Sequence, residues 1–219
     1  MRSGSSRANA ISGIDFTLLG ADFPVTSAAS IQHYRALIYT GRMGTEAIHG
    51  GNELPGLSDI WKRMGEERRL QAATAFYNDS AQVENRAGMD AILAQLRHFR
   101  PQFMKKLPLD KRAHYAATLP LPLEAAAQLI IAYHFHAQRP MMSAFLNALN
   151  IPNENGQIKS EEELPAPDAP LLQSAVNSLL KDHAREDVFI YLATLHSQGT
   201  STWDGLSAIL QAWPPADTP

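Results

Sequence analysis

From residue 57 onward apolar residues recur at steps of three and four, the spacing that gathers them on one face of a helix. Leu57, Ile60, Trp61, Met64, Ala72, Ala75 and Phe76 predict one continuous helix, capped by Ser58 and stopped at "YNDS". The next predicted helix runs from about Ala81 to Leu107, with Val83, Ala87, Met89, Ile92, Leu93, Leu96, Phe99 and Phe103 along one stripe. Pro101 should kink or split it. Pro108 opens a short helix through "LDKRAHYAAT", and "LPLP" separates this from "LEAAAQLIIAYHFHAQ". Pro140 starts another, carrying Met142, Phe145, Leu146 and Leu149.

In the segment from Leu123, one stripe holds Ala126, Ala127, Ile130, Ile131 and His134, and a second holds Leu129, Tyr133 and His136. A helix that is apolar on two faces is packed from both sides, so this one is predicted to be central. Three single-stripe helices follow toward the C-terminus. The first carries Leu171, Leu172, Ala175, Val176, Leu179 and Leu180, the second Val188, Tyr191, Leu192 and Leu195, and the third Trp203, Leu206, Ile209, Leu210 and Trp213. Between the two groups, residues 153–170 show no apolar period, a run of three glutamates and several prolines, the composition of a long surface loop.

Residues 1–56 read differently. They predict an irregular arm, one helix opening at Ser27 and a glycine-rich loop "GRMGTEAIHGG", with "IDFTLL" and "ALIYT" as the two strand candidates. The expected fold is mostly α: a multi-helix orthogonal or antiparallel bundle of about seven to eight helices, in a domain spanning residues 57–219, behind an irregular N-terminal arm.

Composition narrows the chemistry. The chain of 219 residues is long enough to bury roughly 70% of its unfolded surface without staples. It contains no cysteine, which excludes disulfides, thiolate metal sites and cysteine nucleophiles. No uncharged apolar run approaches the roughly 18 residues of a membrane span, and a soluble, cytoplasmic protein is expected. Charge is uneven beneath a net value of −3. Residues 60–112 hold eleven basic and six acidic groups, and residues 113–219 hold four and eleven. Attraction between the two halves is the simplest meaning of that asymmetry.

The sharpest chemical clue is "IIAYHFHAQRPMM". Residues two apart on a helix point about 200° apart, so His134 and His136 cannot share one ion from a continuous helix. His134 ends a buried stripe and requires a partner for its ring nitrogens. A ligand-binding alternative would combine His134 with Tyr133, His136 and His114, or with His183, beside a cavity.

Metal binding has weak support. Glu46 and His49 have the Glu-x-x-His spacing, but in a single copy, and no metal site or cofactor is expected. The glycine-rich loop lacks phosphate-loop spacing, and no serine-hydrolase elbow occurs. The basic stretch "RHFRPQFMKKLPLDKR" sets Arg97, Arg100, Lys105 and Lys106 near Phe99 and Phe103, a composition that can bind an anionic polymer. Both aromatics are expected in the core stripe, however, and the pI is near 6.2, so a solvated basic face is preferred over nucleic-acid binding. Met141, Met142, Trp203 and Trp213 could form a groove for a partner helix, although core is their simpler place. The sequence thus favours a soluble non-catalytic helical module of unknown ligand that acts through protein or small-ligand binding or as a homo-oligomer. A helical enzyme or small-ligand-binding bundle with a histidine-containing site near His134, and an anionic-polymer binder acting through residues 97–112, are the alternatives.

Overall fold

The computed structural model describes residues 54–158, 166–197 and 203–213. Residues 1–53 of the predicted N-terminal segment, with its helix and strand candidates and its glycine-rich loop carrying Glu46 and His49, and residues 159–165 of the predicted loop lie outside them.

Ten α-helices occur among the described residues: α1 (Leu57–Arg63), α2 (Glu66–Asn78), α3 (Val83–Leu96), α4 (Pro101–Lys106), α5 (Leu109–Thr118), α6 (Leu123–Ala137), α7 (Arg139–Ala148), α8 (Ala169–Asp182), α9 (Arg185–Ser197) and α10 (Asp204–Gln211). A two-stranded ribbon, β1 (Asn153–Glu154) with β2 (Gln157–Ile158), accompanies them. The protein is mostly α, as its periodicity predicts.

The extra helices come from breaks that periodicity alone cannot register. The single helix expected across Leu57 to Phe76 is two, interrupted at Met64 and Gly65, and α1 starts after Gly56 with no side-chain cap, so Ser58 is not its cap. Apolar phase survives the break, with Ile60, Trp61, Met64, Ala72 and Phe76 all buried. The predicted helix to Leu107 divides as well, the split that Pro101 leads one to expect. Arg97 caps α3, His98 adopts a left-handed φ of 54°, and Phe99 N–H donates to Ala94 O while His98 N–H donates to Gln95 O. That six-to-one and five-to-two pairing closes the helix before Pro101 opens α4 as its first residue. Asn150, at φ 56°, ends α7 by the same pattern, Ile151 donating to Leu146 O and Asn150 to Asn147 O. Pro108 caps α5 from outside and is not its first helical residue.

Part of the predicted loop folds. Asn155 and Gly156 both have positive φ, 50° and 80°, and form the two-residue turn of an antiparallel hairpin pairing Asn153 with Ile158 and Glu154 with Gln157. Gly156 seats the turn against α7, since a Cβ there would stand 2.6 Å from Met142 Cβ. Asp168 then caps α8, accepting from Leu171 N–H at 2.7 Å.

One apolar core runs from Ile60 to Leu210. Helix α2 packs along α5 and α6, α1 against α6 and α9, α7 against α8, and α10 against α8 and α9. Helix α6 is central as expected, buried from Ala125 through Ala127 and at Leu129, Ile130, Ala132, Tyr133 and His134. Helix α9 differs from its prediction as a single-stripe helix, because all seven residues from Val188 to Thr194 are buried. The apolar run "VFIYLAT" is what permits this. Met141, Met142 and Trp203 are core residues, so they are not free to line a partner groove. Among the described residues no single helix is long and apolar enough to cross a membrane. Helices α5 and α6 qualify only as a pair, bent by 117° at their break.

Candidate functional site

Facing residues of α6 and α9 carry the interior polar chemistry. His134 is 3% exposed and its Nε2 lies 3.1 Å from Thr194 Oγ1. Thr194 gives its one hydroxyl proton to Ile190 O at 2.7 Å, so its oxygen accepts from His134, and Nε2 carries the imidazole hydrogen. Nδ1 is buried with no hydrogen-bond partner among the described residues. Burial pushes the imidazole down to about 4, against a smaller upward pull from Asp187. The ring is therefore neutral at physiological pH, edge-on to Tyr191 at 5.6 Å between centroids.

One residue earlier, Tyr133 donates its hydroxyl to Asp187 Oδ1 at 2.9 Å and accepts from Gln138 Nε2 at 2.9 Å. Burial and then the bond to Asp187 push the phenol up to about 12, so it remains a protonated donor. Arg68 Nε donates to the same carboxylate oxygen. On the adjoining turn Arg63 Nε donates to Glu186 at 2.9 Å and its guanidinium lies 3.9 Å over the Phe189 ring. These contacts join α1 and α2 to the first turn of α9, where acidic groups also favour the helix N-terminus. Glu186 and Asp187, which the sequence sets beside His183, are thereby engaged by arginines.

The other predicted histidines part company with His134. His136 points to the opposite side, its Nε2 3.3 Å from Asp79 Oδ2. His114 is exposed on α5 and lines an open cavity of about 340 Å³ between α2 and α5, together with Leu70, Thr74, Asn78, Leu109, Asp110, Lys111 and Ala113. A second cavity of about 200 Å³ is lined by Leu54, Pro55, Arg63, Phe189, Leu210, Gln211 and Trp213. His134, Tyr133 and His136 line neither. Among the described residues no group of three His, Asp or Glu side chains is placed to hold a metal ion.

A further polar cluster has no counterpart in the sequence reading. Asp90, 3% exposed on α3, accepts from Tyr77 Oη at 3.0 Å and from Arg112 Nη1 at 2.8 Å. Arg112 also donates to the carbonyls of Leu107 and Lys105, tying down the end of α4. Asp90 lies three and four residues before Leu93 and Ala94, on the buried face, and a charge in that position requires a cation. That was the available signal.

The basic stretch also departs from expectation. Once α3 ends at Leu96 its stripe no longer continues, and Phe103 is 48% exposed. Phe99 is half-buried, 5.0 Å from the Phe103 centroid and 6.1 Å from that of Tyr115. Arg97 lies 5.5 Å over Phe99 and 5.1 Å over Tyr115. Arg97, Arg100, Lys105 and Lys106 are exposed, and among the described residues none has a carboxylate within ion-pair distance. Sequence periodicity could not find this platform, because Tyr115 reaches it from α5.

Compared with protein-family models, with curated proteins and with solved structures, the chain has no match in any of the three.

Proposed function

We propose that this chain is a non-catalytic α-helical binding module that acts through its surface. The observation that carries the reading is that His134, Tyr133, Asp187 and Asp90 are each engaged by neighbouring side chains and line neither cavity, although Nδ1 of His134 has no partner among the described residues. His134 is engaged by Thr194, Tyr133 by Asp187 and Gln138, Asp187 by Arg68, and Asp90 by Tyr77 and Arg112. A general acid or base acts best with an ionisation near the working pH and an open face toward a substrate. His134, held near 4 and away from both cavities, and Tyr133, held near 12, have neither property. Groups so arranged instead specify which helices pack together.

Native mass spectrometry of the purified chain tests this reading. Polypeptide alone, or whole-number assemblies of it, is expected. A metal or small molecule retained one per chain, and lost in His134→Gln, would overturn it in favour of a histidine-centred enzyme or ligand-binding bundle. Anionic-polymer binding through residues 97–112 is favoured by a separate observation, the exposure of Phe103 beside Arg100, Lys105 and Lys106, which have no carboxylate partner among the described residues.

A further inference from the structure

We propose that the surface formed by the end of α3, the whole of α4 and Tyr115 of α5 binds single-stranded nucleic acid, with bases stacking at Phe103 and phosphates held by Arg97, Lys105 and Lys106. The inference rests on the binding-module reading and supplies its ligand class.

Three features carry it. Phe103, Phe99 and Tyr115 form a row of rings in successive edge-to-face contact, progressing from exposed to half-buried. Phe103 is therefore a side chain supported from behind, with its outer surface open to a planar ligand. Arg97, extended over Phe99 and Tyr115, is positioned by those rings, and an arginine so placed can meet a phosphate or stack on a base. The remaining cations lie on both sides of Phe103 in sequence: Arg100 precedes α4, and Lys105 and Lys106 occupy its last turn. None is paired with a carboxylate among the described residues. Arg112, the stretch's other arginine, is committed to Asp90 and does not belong to the patch.

Single strands fit this surface better than the other anionic partners. Cations around stacking aromatics recognise a flexible chain that carries both phosphates and unpaired bases. An acidic peptide would meet the cations and leave the ring row unused. An anionic membrane calls for an extended apolar helical face, whereas α4 has six residues and one exposed large apolar side chain, Phe103. Two features weigh against nucleic acid in the sequence, core placement of both phenylalanines and a pI near 6.2; the exposure of Phe103 removes the first, and the second is a whole-chain value dominated by the acidic groups of residues 113–219.

Fluorescence anisotropy of the full chain with a labelled single-stranded oligo(dT) of about a dozen nucleotides tests the inference, over salt from about 25 to 200 mM. Binding is expected, with a slope of log affinity on log salt of about −2 to −3, from three to four phosphate contacts at about −0.7 each. Phe103→Ala should weaken binding roughly five- to a hundredfold and leave that slope unchanged. The double variant Lys105→Gln, Lys106→Gln should flatten the slope by about 1.4. All are exposed positions, and a circular dichroism melt matching the parent shows that the variants fold. Full affinity in a folded Phe103→Ala variant would overturn the stacking site. If oligo(dT) fails to bind, while phosphatidylserine vesicles or polyglutamate bind and lose affinity in the lysine double variant, the nucleic-acid assignment falls and the binding-module reading stands. Failure of all three probes overturns the inference. The native mass measurement, which does not depend on this surface, then judges the module reading separately.

Discussion

Asp90 shows how a single charge can be held inside this protein. Its side chain is 4% exposed and that of its partner Arg112 13%, so water does little to screen either. Removing the charge leaves Arg112 largely buried with two carbonyls and no anion, which is more damaging than losing an exposed ion pair. Asp90→Asn is therefore expected to destabilise the fold by roughly 3 kcal/mol, read as a lowered urea midpoint at unchanged slope. A loss below about 0.5 kcal/mol would mean that Arg112 escapes to solvent. Tyr77 shares this site. Burial, followed by the charge of Asp90, pushes its phenol strongly upward, so it serves as a neutral donor. Asp90 and His134 are both polar residues on apolar faces, and in both cases the identity of the partner was hidden. The histidine's need for one followed from its stripe, and Thr194 could not be named because it stands 60 positions away on another helix.

Among the elements, the turn joining β1 to β2 is the most demanding of its residues. Asn155 and Gly156 take the two positive φ values of the turn, which Asn-Gly adopts readily. Gly156 also lies against α7 where no side chain fits, since a Cβ added there would stand 3.2 Å from Arg139 O and Ser143 N and closer still to Met142 Cβ. Gly156→Ala combines the conformational penalty with a clash against helix backbone, and a loss of about 2–3 kcal/mol is expected in thermal or urea melts. An unchanged melt would show that the hairpin is not seated on α7. The Asn-Gly pair was visible in the chain, yet the surrounding polar and acidic composition read as loop. What converts it to a packed hairpin is the surface of α7. Helix ends follow the same logic. His98 and Asn150 each close a helix in the left-handed region, a role usually given to glycine and sometimes to asparagine, so the sequence marked the neighbourhood of each stop, through Pro101 and the turn residues after Leu149, without naming the capping residue.

Across the whole molecule the basic and acidic halves meet through α9. Arg63 and Arg68 reach Glu186 and Asp187, so part of the charge asymmetry is satisfied internally, while the cations of residues 97–106 have no carboxylate partner among the described residues. The same interface makes stability depend on pH. His134 binds its proton at about 4 when folded and near 6.5 when unfolded, so the unfolded chain holds more protons between those values. The contribution is fully present above pH 6.5. It declines by about 1.4 kcal/mol per unit as pH falls toward 4, and totals on the order of 3 kcal/mol. Urea unfolding at several pH values should show the parent losing this much more stability than His134→Gln over that window. Identical pH slopes for parent and variant would remove His134 as the cause.

Periodicity alone gave the helical class, the central place of α6 and the divergence of His134 from His136, because side-chain direction along a helix depends only on spacing within it. Tertiary structure assigned the partners: Tyr133 with Asp187, 54 positions on, and Arg63 with Glu186, 123 positions on. It also buried α9 on all sides and turned Phe103 outward over Phe99. These outcomes depend on which helices meet and where each one stops, and both are set by packing between segments far apart in the chain, which no local period encodes.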